Sequence, residues 1–464
     1  MKKYKVSKYN LSCVDSEGNL LLYNFLSGPT SISIVKNKDR MRFEEIFTEK
    51  KIIVSDKKRE KICQQLYQAG IILDIEEDED ALYDAKFYDT TLSKSWELII
   101  MPTQQCNFRC KYCYEDTEFM SKGEMSEASE TSILKYVQKN AIYHSKLRVS
   151  WFGGEPLLAL NSIKRLSEGI IKICAAKKVI YESEMTTNGY NLTPEVFDML
   201  YKNKIYIYQI TLDGTRKEHD CQRIKMDGSG TFDKIFENLL YIKNNKDKYK
   251  MARITIRTNV TQNIVSNIEA FIQLYQSNFA SDRRFILRFT EASKYDNNED
   301  EKYSSRLDDS EYLDRNEFLN FIYNEKYIKK LVPIENVLDM FTPTRYICYA
   351  ASKNKFVIDP KLNVYKCTVH FDLKENNVGY INSKGDMVLD DKINRMWYVR
   401  KAFPKECREC FYLPCCNKTG CPIKYNSRDE HYRKCHMKDL KEIMSINLRR
   451  LAKYIPCNII EMEN

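Results

Sequence analysis

Three cysteines near the end of an apolar run are spaced in a way that suits metal chemistry. Cys106, Cys110 and Cys113 follow the pattern C-x3-C-x2-C in the segment CNFRCKYCYE. Three thiolates in one loop can bind three irons of a 4Fe–4S cluster and leave the fourth iron without a protein ligand. Zinc is the alternative, but it needs a fourth ligand, and no His occurs within thirty residues after Cys113. The spacing therefore favours an iron–sulfur site with an open position, which a catalytic metal needs.

Further polar motifs end the β-prone runs that follow this loop. In chain order they are WFGGEP (151–156), TTNGY (186–190), ITLDG (210–214) and RTNVT (257–261). Each polar residue by itself is typical of a turn or a helix cap. Because the carboxyl ends of parallel strands meet at one edge of a sheet, the motifs together indicate one binding site.

The cysteine loop resembles the signature of radical S-adenosylmethionine (SAM) enzymes, with Tyr112 and Tyr114 flanking the last cysteine. The Gly-Gly-Glu-Pro segment matches a second motif of that family. The resemblance implies that Cys106, Cys110 and Cys113 bind a catalytic 4Fe–4S cluster whose open iron binds SAM, which is cleaved to a 5′-deoxyadenosyl radical. It also implies that a set of residues contacts SAM: Tyr112, Gly153, Gly154, Glu155, Thr187, Asn188, Asp213, Arg223 and Asn259. Among these, Glu155 would receive the methionine ammonium, Arg223 the carboxylate and Asn259 the ribose.

A second group of cysteines lies near the end of the sequence. Its segment CRECFYLPCCNKTGC contains one C-x2-C pair, whereas a zinc ribbon usually has two, so zinc is the weaker interpretation. The arrangement resembles the SPASM domain of radical SAM enzymes, which carries two auxiliary 4Fe–4S clusters. The resemblance assigns the outer cluster to Cys407, Cys410, Cys416 and Cys435. It assigns the inner cluster to Cys348, Cys367 and Cys421, and so implies three clusters in total.

This second group departs from the family pattern in two ways. Leu362 stands where the family has Gly, so the turn before Cys367 must be made differently. The last short spacing is x4 rather than x3, and Cys415 adjoins Cys416, so either could be the ligand in sequence terms. The inner cluster has three assigned ligands, and Cys415 or Cys457 could close its fourth position.

The order of β-prone and helical runs predicts an α/β fold. Six β/α repeats between residues 96 and 292 indicate a partial (β/α)6 TIM barrel. We expect four regions: a winged-helix-like α+β domain over 1–90, the radical SAM barrel over 91–300, a bridging region over 301–345, and a SPASM domain over 346–464.

Residues 1–90 are predicted to contain a hairpin over 18–35, a helix capped by Asp56, a strand over 71–75 and then an acidic linker (76–86). This order resembles the leader-peptide recognition element of peptide maturases, in which a precursor segment adds as a strand to the hairpin edge. DNA binding is the alternative for a winged helix, but no strongly basic recognition helix supports it. We therefore expect a peptide partner and no nucleic acid.

The composition limits the compartment and the partners. The chain has 464 residues, a net charge of +9 and 16 cysteines. No signal peptide and no apolar run of membrane-spanning length are recognised, so we expect a cytoplasmic protein without a membrane partner. Basic runs such as SDKKREK (55–61) are read as solvated faces, with an acidic peptide as the alternative partner.

SPASM-bearing radical SAM enzymes commonly modify ribosomally made peptides. The leading hypothesis is therefore a maturase that links a Cys sulfur to carbon in a precursor peptide, supplied with electrons by a flavodoxin or ferredoxin. Carbon–carbon crosslinking remains open, as does epimerisation with Cys221 as hydrogen donor. A sulfatase-maturating enzyme is less favoured, because Thr368 stands where that family has an Asp base. An iron–sulfur electron carrier or a non-catalytic peptide-binding module would be a different class.

Overall fold

The computed structural model describes residues 2–49, 51–115, 123–292, 307–313, 315–322, 334–344, 347–399, 405–416, 421–423 and 439–460. The strands are β1 (Lys3–Val6), β2 (Asn10–Val14), β3 (Leu20–Asn24), β4 (Ser33–Val35), β5 (Ile52–Ile53), β6 (Ile72–Asp74), β7 (Trp96–Ile100), β8 (Phe108–Cys110), β9 (Lys146–Trp151), β10 (Ile180–Thr187), β11 (Ile205–Thr211), β12 (Arg223–Lys225), β13 (Arg253–Val260), β14 (Phe285–Glu291), β15 (Lys355–Ile358), β16 (Asn363–Tyr365), β17 (Asn377–Ile381), β18 (Met387–Leu389) and β19 (Asn458–Ile460). The α-helices are α1 (Arg40–Thr48), α2 (Lys57–Gln68), α3 (Glu79–Thr91), α4 (Glu127–Asn140), α5 (Leu160–Lys177), α6 (Pro194–Lys202), α7 (Arg216–Gln222), α8 (Phe232–Asn244), α9 (Gln262–Ser266), α10 (Ile268–Asn278), α11 (Arg315–Ile322), α12 (Ile334–Phe341), α13 (Asp391–Tyr398), α14 (Lys405–Arg408) and α15 (Leu440–Leu451).

The six strands expected from the sequence form one parallel sheet. They lie in the order β14-β13-β11-β10-β9-β7, and each neighbouring pair is parallel. Helices alternate with them along the chain, as right-handed β/α connections require. Leu98, Val149, Ile210 and Ile256 are fully buried in the core between sheet and helices. The predicted α/β partial barrel is therefore confirmed.

The sheet continues beyond β7 into a region that is distant in sequence. Strand β15 pairs in parallel with β7, and β16, β17 and β18 extend the sheet with antiparallel pairing to give ten strands in total. The backbone of the segment that bears Cys348 and Cys367 is thereby fixed to the barrel. The order of runs did not predict this addition, because nothing local in β15 specifies β7 as its partner.

The turn between β15 and β16 shows how the missing glycine is accommodated. Leu362 adopts the left-handed conformation with φ of 68°, which an L residue with a branched side chain rarely takes. The Asp359 side chain accepts hydrogen bonds from the backbone N–H groups of Lys361 (2.9 Å) and Asn363 (2.8 Å). Leu362 also accepts a backbone bond from Ile381 (2.9 Å). These contacts hold the turn in a shape that glycine would adopt without strain.

The N-terminal region contains the predicted hairpin of β3 and β4, and Asp56 caps α2 by accepting from the Arg59 N–H (2.9 Å). The prediction that the acidic segment 76–86 is a linker is wrong in part, because residues from Glu79 onward form α3. Its cap is Asp78, whose carboxylate accepts from the N–H groups of Asp80 and Ala81. Acidic residues in the first turn stabilise a helix through its dipole. Tyr83 and Phe87 are buried along one face of α3. High charge concealed these helix signals in the sequence.

Residues near both ends of the sequence pack together. Phe25 contacts Phe341 and Tyr412, with ring centroids 5.2 and 5.1 Å apart, and the Tyr23 hydroxyl donates to the Phe341 carbonyl. Arg408 forms an ion pair with Asp80 at 3.2 Å. Aromatic burial of this extent joins the N-terminal region firmly to the C-terminal cysteine segment.

The bridging region predicted over 301–345 contains α11 and α12, and much of it lies outside the described residues. Within the described ranges, no helix has the length and apolar character needed to cross a membrane.

Candidate functional site

The cysteine loop leaves β7 at the carboxyl edge of the parallel sheet. Its short strand β8 pairs with β12, which places Arg223 opposite Cys110. The Phe108 N–H donates to the Cys106 sulfur (3.4 Å), and the Cys113 N–H donates to the Cys110 carbonyl (3.1 Å). These bonds fold the loop on itself and bring its three thiols close enough to interact electrostatically.

The thiols of this loop are poorly suited to ionise on their own. Burial, and then nearby Glu155, raise the pKa of Cys106 to about 12. Burial also raises the pKa values of Cys110 and Cys113. Because the thiolate is the form that binds metal, iron would have to replace these protons. The donor set fits a 4Fe–4S cluster, which takes each thiolate on a different iron.

Among the described residues, no three His, Cys, Asp or Glu side chains form a group that could hold one metal ion. This holds for the three thiols of the loop as well, which would each bind a different iron of a cluster rather than one shared ion.

The two glycines of WFGGEP are packed against the cysteine loop. A Cβ on Gly153 would lie 2.1 Å from the Thr103 carbonyl oxygen, and one on Gly154 would lie 2.4 Å from the Gln105 oxygen. The Glu155 N–H also donates to Gln105 (2.8 Å). Glycine was expected here so that backbone could approach SAM; the structure shows a further reason, the close approach of the two loops.

Glu155 joins the ends of β9 and β10. Its buried carboxylate accepts hydrogen bonds from the Thr187 hydroxyl (2.7 Å), the Asn188 N–H (2.7 Å) and the Leu157 N–H (3.0 Å). Burial raises the pKa of Glu155, and these bonds lower it in part. The Asn188 side chain then donates to Asn107 of the cysteine loop (2.8 Å). The sequence motifs did not single out Asn107, since asparagine in a loop gives no distinctive signal.

The Tyr112 hydroxyl connects the other predicted site residues. It donates to the Asp213 carboxylate and accepts from the Arg223 guanidinium (2.6 Å) and the Asn259 side-chain amide (3.0 Å). Asp213 also accepts from the Asn259 N–H (2.7 Å). Arg223 lies over the Phe108 ring, and its Nε has no hydrogen-bond partner among the described residues. The structure thus gathers Tyr112, Asp213, Arg223 and Asn259 into one buried network.

Several buried carboxyl groups lie in this region together with guanidinium groups. Burial, and then Glu155, raise the pKa of Glu115 to about 8, and burial raises the pKa of Asp213. Burial would lower the pKa of Arg223, but the neighbouring Cys110, Tyr112 and Asp213 raise it. Three carboxyl groups lie here beside two guanidinium groups, those of Arg223 and Arg257. Because a nearby positive charge lowers the pKa of a carboxyl group, a cationic ligand would favour the ionised forms, and SAM carries both an ammonium and a sulfonium. Glu115 was missed in the sequence, although it follows the last tyrosine of the loop directly.

Replacing Tyr112 by Phe tests the buried network. We expect the dissociation constant for SAM to rise about 10- to 100-fold, because hydrogen bonds to charged groups contribute about 1.5–3 kcal/mol. Isothermal titration of the reconstituted protein measures this change. Tyr143→Phe is the matched control, since that side chain is 68% exposed. An unchanged affinity in Tyr112→Phe, with full iron content, would contradict a role for the network in binding SAM.

The structure also brings together the three cysteines assigned to the inner auxiliary cluster. Burial, and then Cys421 and Cys367, raise the pKa of Cys348, so the three thiols are close enough to interact electrostatically. The two alternative ligands face elsewhere. The Cys415 thiol donates to the Phe25 carbonyl (3.8 Å), and the Cys457 thiol donates to the Ile455 carbonyl (3.2 Å).

The outer auxiliary set is described only in part. Cys407 and Cys410 are linked by a backbone bond from the Cys410 N–H to the Cys407 carbonyl (3.2 Å), and Cys416 follows a short helical turn. Cys435 lies outside the described residues. Assignment of these four to one cluster stays a prediction.

Comparison with known proteins agrees with this geometry. Residues 100–270 match the model of the Radical SAM superfamily. The chain is 24% identical over 345 residues to a cysteine-type anaerobic sulfatase-maturating enzyme of Clostridium novyi (strain NT), covering 71% of this chain and 88% of that protein. It is 26% identical over 312 residues to a GTP 3′,8-cyclase of Clostridium perfringens (strain 13 / Type A), covering 67% and 79%.

Two solved structures share the fold. Native anSMEcpe with bound AdoMet and Kp18Cys peptide aligns with a TM-score of 0.59 at 22% identity, covering 77% of this chain and 98% of that one. Streptococcus suis SuiB bound to S-adenosylmethionine aligns with a TM-score of 0.51 at 16% identity, covering 93% and 99%.

The fold, the cysteine loop and the family match define a radical SAM enzyme. Such an enzyme uses a 4Fe–4S cluster and SAM. Its fold is shared with anSMEcpe and with SuiB, each solved with bound SAM.

Proposed function

We propose that this protein is a radical SAM peptide maturase that installs Cys sulfur-to-carbon thioether links in a ribosomally synthesised precursor peptide. The observation that carries this proposal is the inner set of three neighbouring thiols, Cys348, Cys367 and Cys421. Cys415 and Cys457, which could have completed the set, make contacts elsewhere. A cluster held by three cysteines has one iron available to a fourth thiolate, and a Cys of the substrate is chemically suited to that position.

The residues of the site would divide the work between holding SAM and holding the peptide thiol. When bound, the clusters and SAM supply a low-potential electron, the 5′-deoxyadenosyl radical that removes a hydrogen atom from a peptide carbon, and an acceptor for the surplus electron. Glu155 would receive the ammonium of SAM, and the Tyr112 network would orient its carboxylate and ribose. Cys348, Cys367 and Cys421 would position the peptide sulfur, which restricts its approach to the carbon.

The crosslinking reaction has a definite atom balance. The product gains one S–C bond and loses two hydrogens, one from the peptide carbon to 5′-deoxyadenosine and one from the thiol as a proton. The sulfur is retained.

We assign recognition of the precursor leader to residues 1–90. One supporting observation is that SuiB, solved with its precursor peptide SuiA, aligns over 93% of this chain with a TM-score of 0.50. A second is the hairpin of β3 and β4, whose β4 edge pairs with an added strand, β19, from a distant part of the chain. Deleting residues 1–90 is a poor test, because it would uncover Phe341 and Tyr412 and leave a large apolar surface exposed.

Sulfatase maturation is the second candidate, since the Clostridium novyi enzyme aligns over 88% of its length. Thr368 occupies the position where the resemblance places an Asp base. The Thr368 hydroxyl lies 2.8 Å from the Tyr349 hydroxyl, and the residue is buried. A threonine held in this way does not replace a carboxylate base, because its hydroxyl does not ionise in the range where a carboxylate does. The thioether proposal is therefore preferred.

The deciding experiment uses the anaerobically reconstituted, reduced enzyme with SAM and a synthetic peptide translated from any short, Cys-containing reading frame found next to its gene. We expect 5′-deoxyadenosine and a peptide that has lost two hydrogens and kept its sulfur, with the link located by tandem mass spectrometry. Loss of sulfur would indicate sulfatase-type chemistry. A crosslink between carbons, or an unchanged mass with altered stereochemistry, would replace the thioether proposal by the corresponding alternative.

Replacing Cys421 by Ser separates the inner cluster from SAM cleavage. We expect the iron content to fall from about twelve to about eight per chain, because each of the three proposed clusters contains four irons. Crosslinking should be lost, whereas uncoupled formation of 5′-deoxyadenosine should persist. Cys415→Ser is the control and should keep both activities. A Cys421→Ser enzyme that retains all its iron and still crosslinks the peptide would contradict the assignment.

A further inference from the structure

The outer edge of the β3–β4 hairpin is already paired within this chain. Strand β19 lies parallel to β4, with Asn458 opposite Ser33, Ile459 opposite Ile34 and Ile460 opposite Val35. The Asn458 N–H donates to the Ile32 carbonyl (2.8 Å), and its side-chain amide donates to the Thr30 carbonyl (2.9 Å). A segment more than four hundred residues away in sequence thus fills the position of an added strand.

The alternation of side chains along β19 shows what this edge accepts. Ile460 is 1% exposed and belongs to the apolar cluster that contains Leu22, Val35 and Ile62. Its neighbour Ile459 is 58% exposed. The edge therefore takes an extended segment with one aliphatic side chain directed into the core and the next toward solvent.

Helix α2 also contacts β19. Ile62 and Leu66 of α2 belong to the same apolar cluster as Ile460, so β19 lies in a groove between the edge of β4 and this helix. The chain's own occupant of the groove is therefore a short aliphatic strand.

The pairing of β19 is short and its connection permits release. It matches β4 over three residues, whereas α15, which precedes it, is held independently. Met444 and Leu448 of α15 are fully buried, and the Arg449 guanidinium donates to the Val14 carbonyl (2.8 Å). Displacing β19 thus leaves the larger contact between the two ends of the chain in place.

We propose that the groove between β4 and α2 is the docking site of the precursor leader, and that β19 occupies this groove until the leader displaces it. This inference rests on the proposed function, because it specifies which surface of residues 1–90 binds the leader. The leader segment would bind in an extended conformation with an aliphatic residue directed inward. Because β19 competes for the groove, the apparent affinity for the leader equals its intrinsic affinity multiplied by the fraction of molecules whose groove is open. Only a segment that pairs over more residues than β19 therefore binds well.

A pair of neighbouring substitutions tests the competition. Ile460→Asp places a charge in the apolar cluster and releases β19, whereas Ile459→Asp adds the same charge on the solvent side. Two labelled probes are titrated by fluorescence anisotropy: the peptide encoded next to the gene, and a synthetic peptide with the sequence of residues 453–464. We expect Ile460→Asp to bind both probes at least tenfold more tightly than the unmodified enzyme, and Ile459→Asp to match the unmodified enzyme.

Two further measurements guard against misfolding and identify the displaced strand. Asn458→Pro removes the backbone donor to Ile32 and should raise affinity in the same direction. Each variant must keep its SAM cleavage rate, since none of these residues lies at the site. In the unmodified enzyme, hydrogen exchange at residues 458–460 should accelerate when the gene-encoded peptide binds.

The outcomes separate the two proposals. If the enzyme binds and crosslinks the gene-encoded peptide, but Ile460→Asp binds it no more tightly and residues 458–460 stay protected, the displacement inference is wrong and the proposed function stands. If that peptide is neither bound nor modified by any form of the enzyme, the proposed function fails, and the inference fails with it.

Discussion

Replacing Cys106, Cys110 and Cys113 together by Ala should abolish reductive cleavage of SAM. Each thiol would bind a different iron, and β8 holds the loop against β12 so that the three act as one set. Without them the catalytic cluster cannot form, and iron content should fall by about four per chain. Liquid chromatography of 5′-deoxyadenosine after reduction measures the loss, which we expect to reach the detection limit.

Cys174→Ala is the matched control for this variant. Cys174 is a buried cysteine of α5, outside the loop, and its substitution should leave SAM cleavage and iron content unchanged. Formation of 5′-deoxyadenosine by the triple variant would show that another set of cysteines holds the catalytic cluster.

Replacing Glu155 by Gln should have the second largest effect. The carboxylate accepts from the Thr187 hydroxyl and the Asn188 and Leu157 N–H groups, and an amide at this position would direct a donor toward at least one of them. The negative charge proposed to receive the SAM ammonium would also be lost. A cost of about 3 kcal/mol for a charged hydrogen bond corresponds to roughly a hundredfold weaker binding of SAM.

Calorimetric titration with SAM and the thermal unfolding midpoint measure the two consequences for Glu155→Gln. Glu168→Gln is the control, because Glu168 is exposed on α5 and should leave both unchanged. If SAM binds the Glu155→Gln enzyme with unaltered affinity, Glu155 acts only as a bridge between the strand ends.

The sequence by itself determined the elements whose signals are local. The six parallel strands were readable because each is a short β-prone run separated from the next by a helical run, and the cysteine loop because its spacing is chemically specific. The helix capped by Asp56 was also readable, since capping depends on a few adjacent residues. Where charge concealed a local signal, as in α3, reading the sequence failed even though the cap and buried face were present.

Only the tertiary structure decided the pairings between distant segments. Strand β15 pairs with β7, and β19 pairs with β4. The backbone groups of a strand edge can pair with any suitable strand, so the residue pattern within a strand does not specify its partner. The Tyr112 hydroxyl meets Asp213, Arg223 and Asn259 for the same reason, since these groups converge at one edge of the sheet from separate strands and loops. Sequence therefore specified which groups could do chemistry, and the packing of the sheet determined which of them meet.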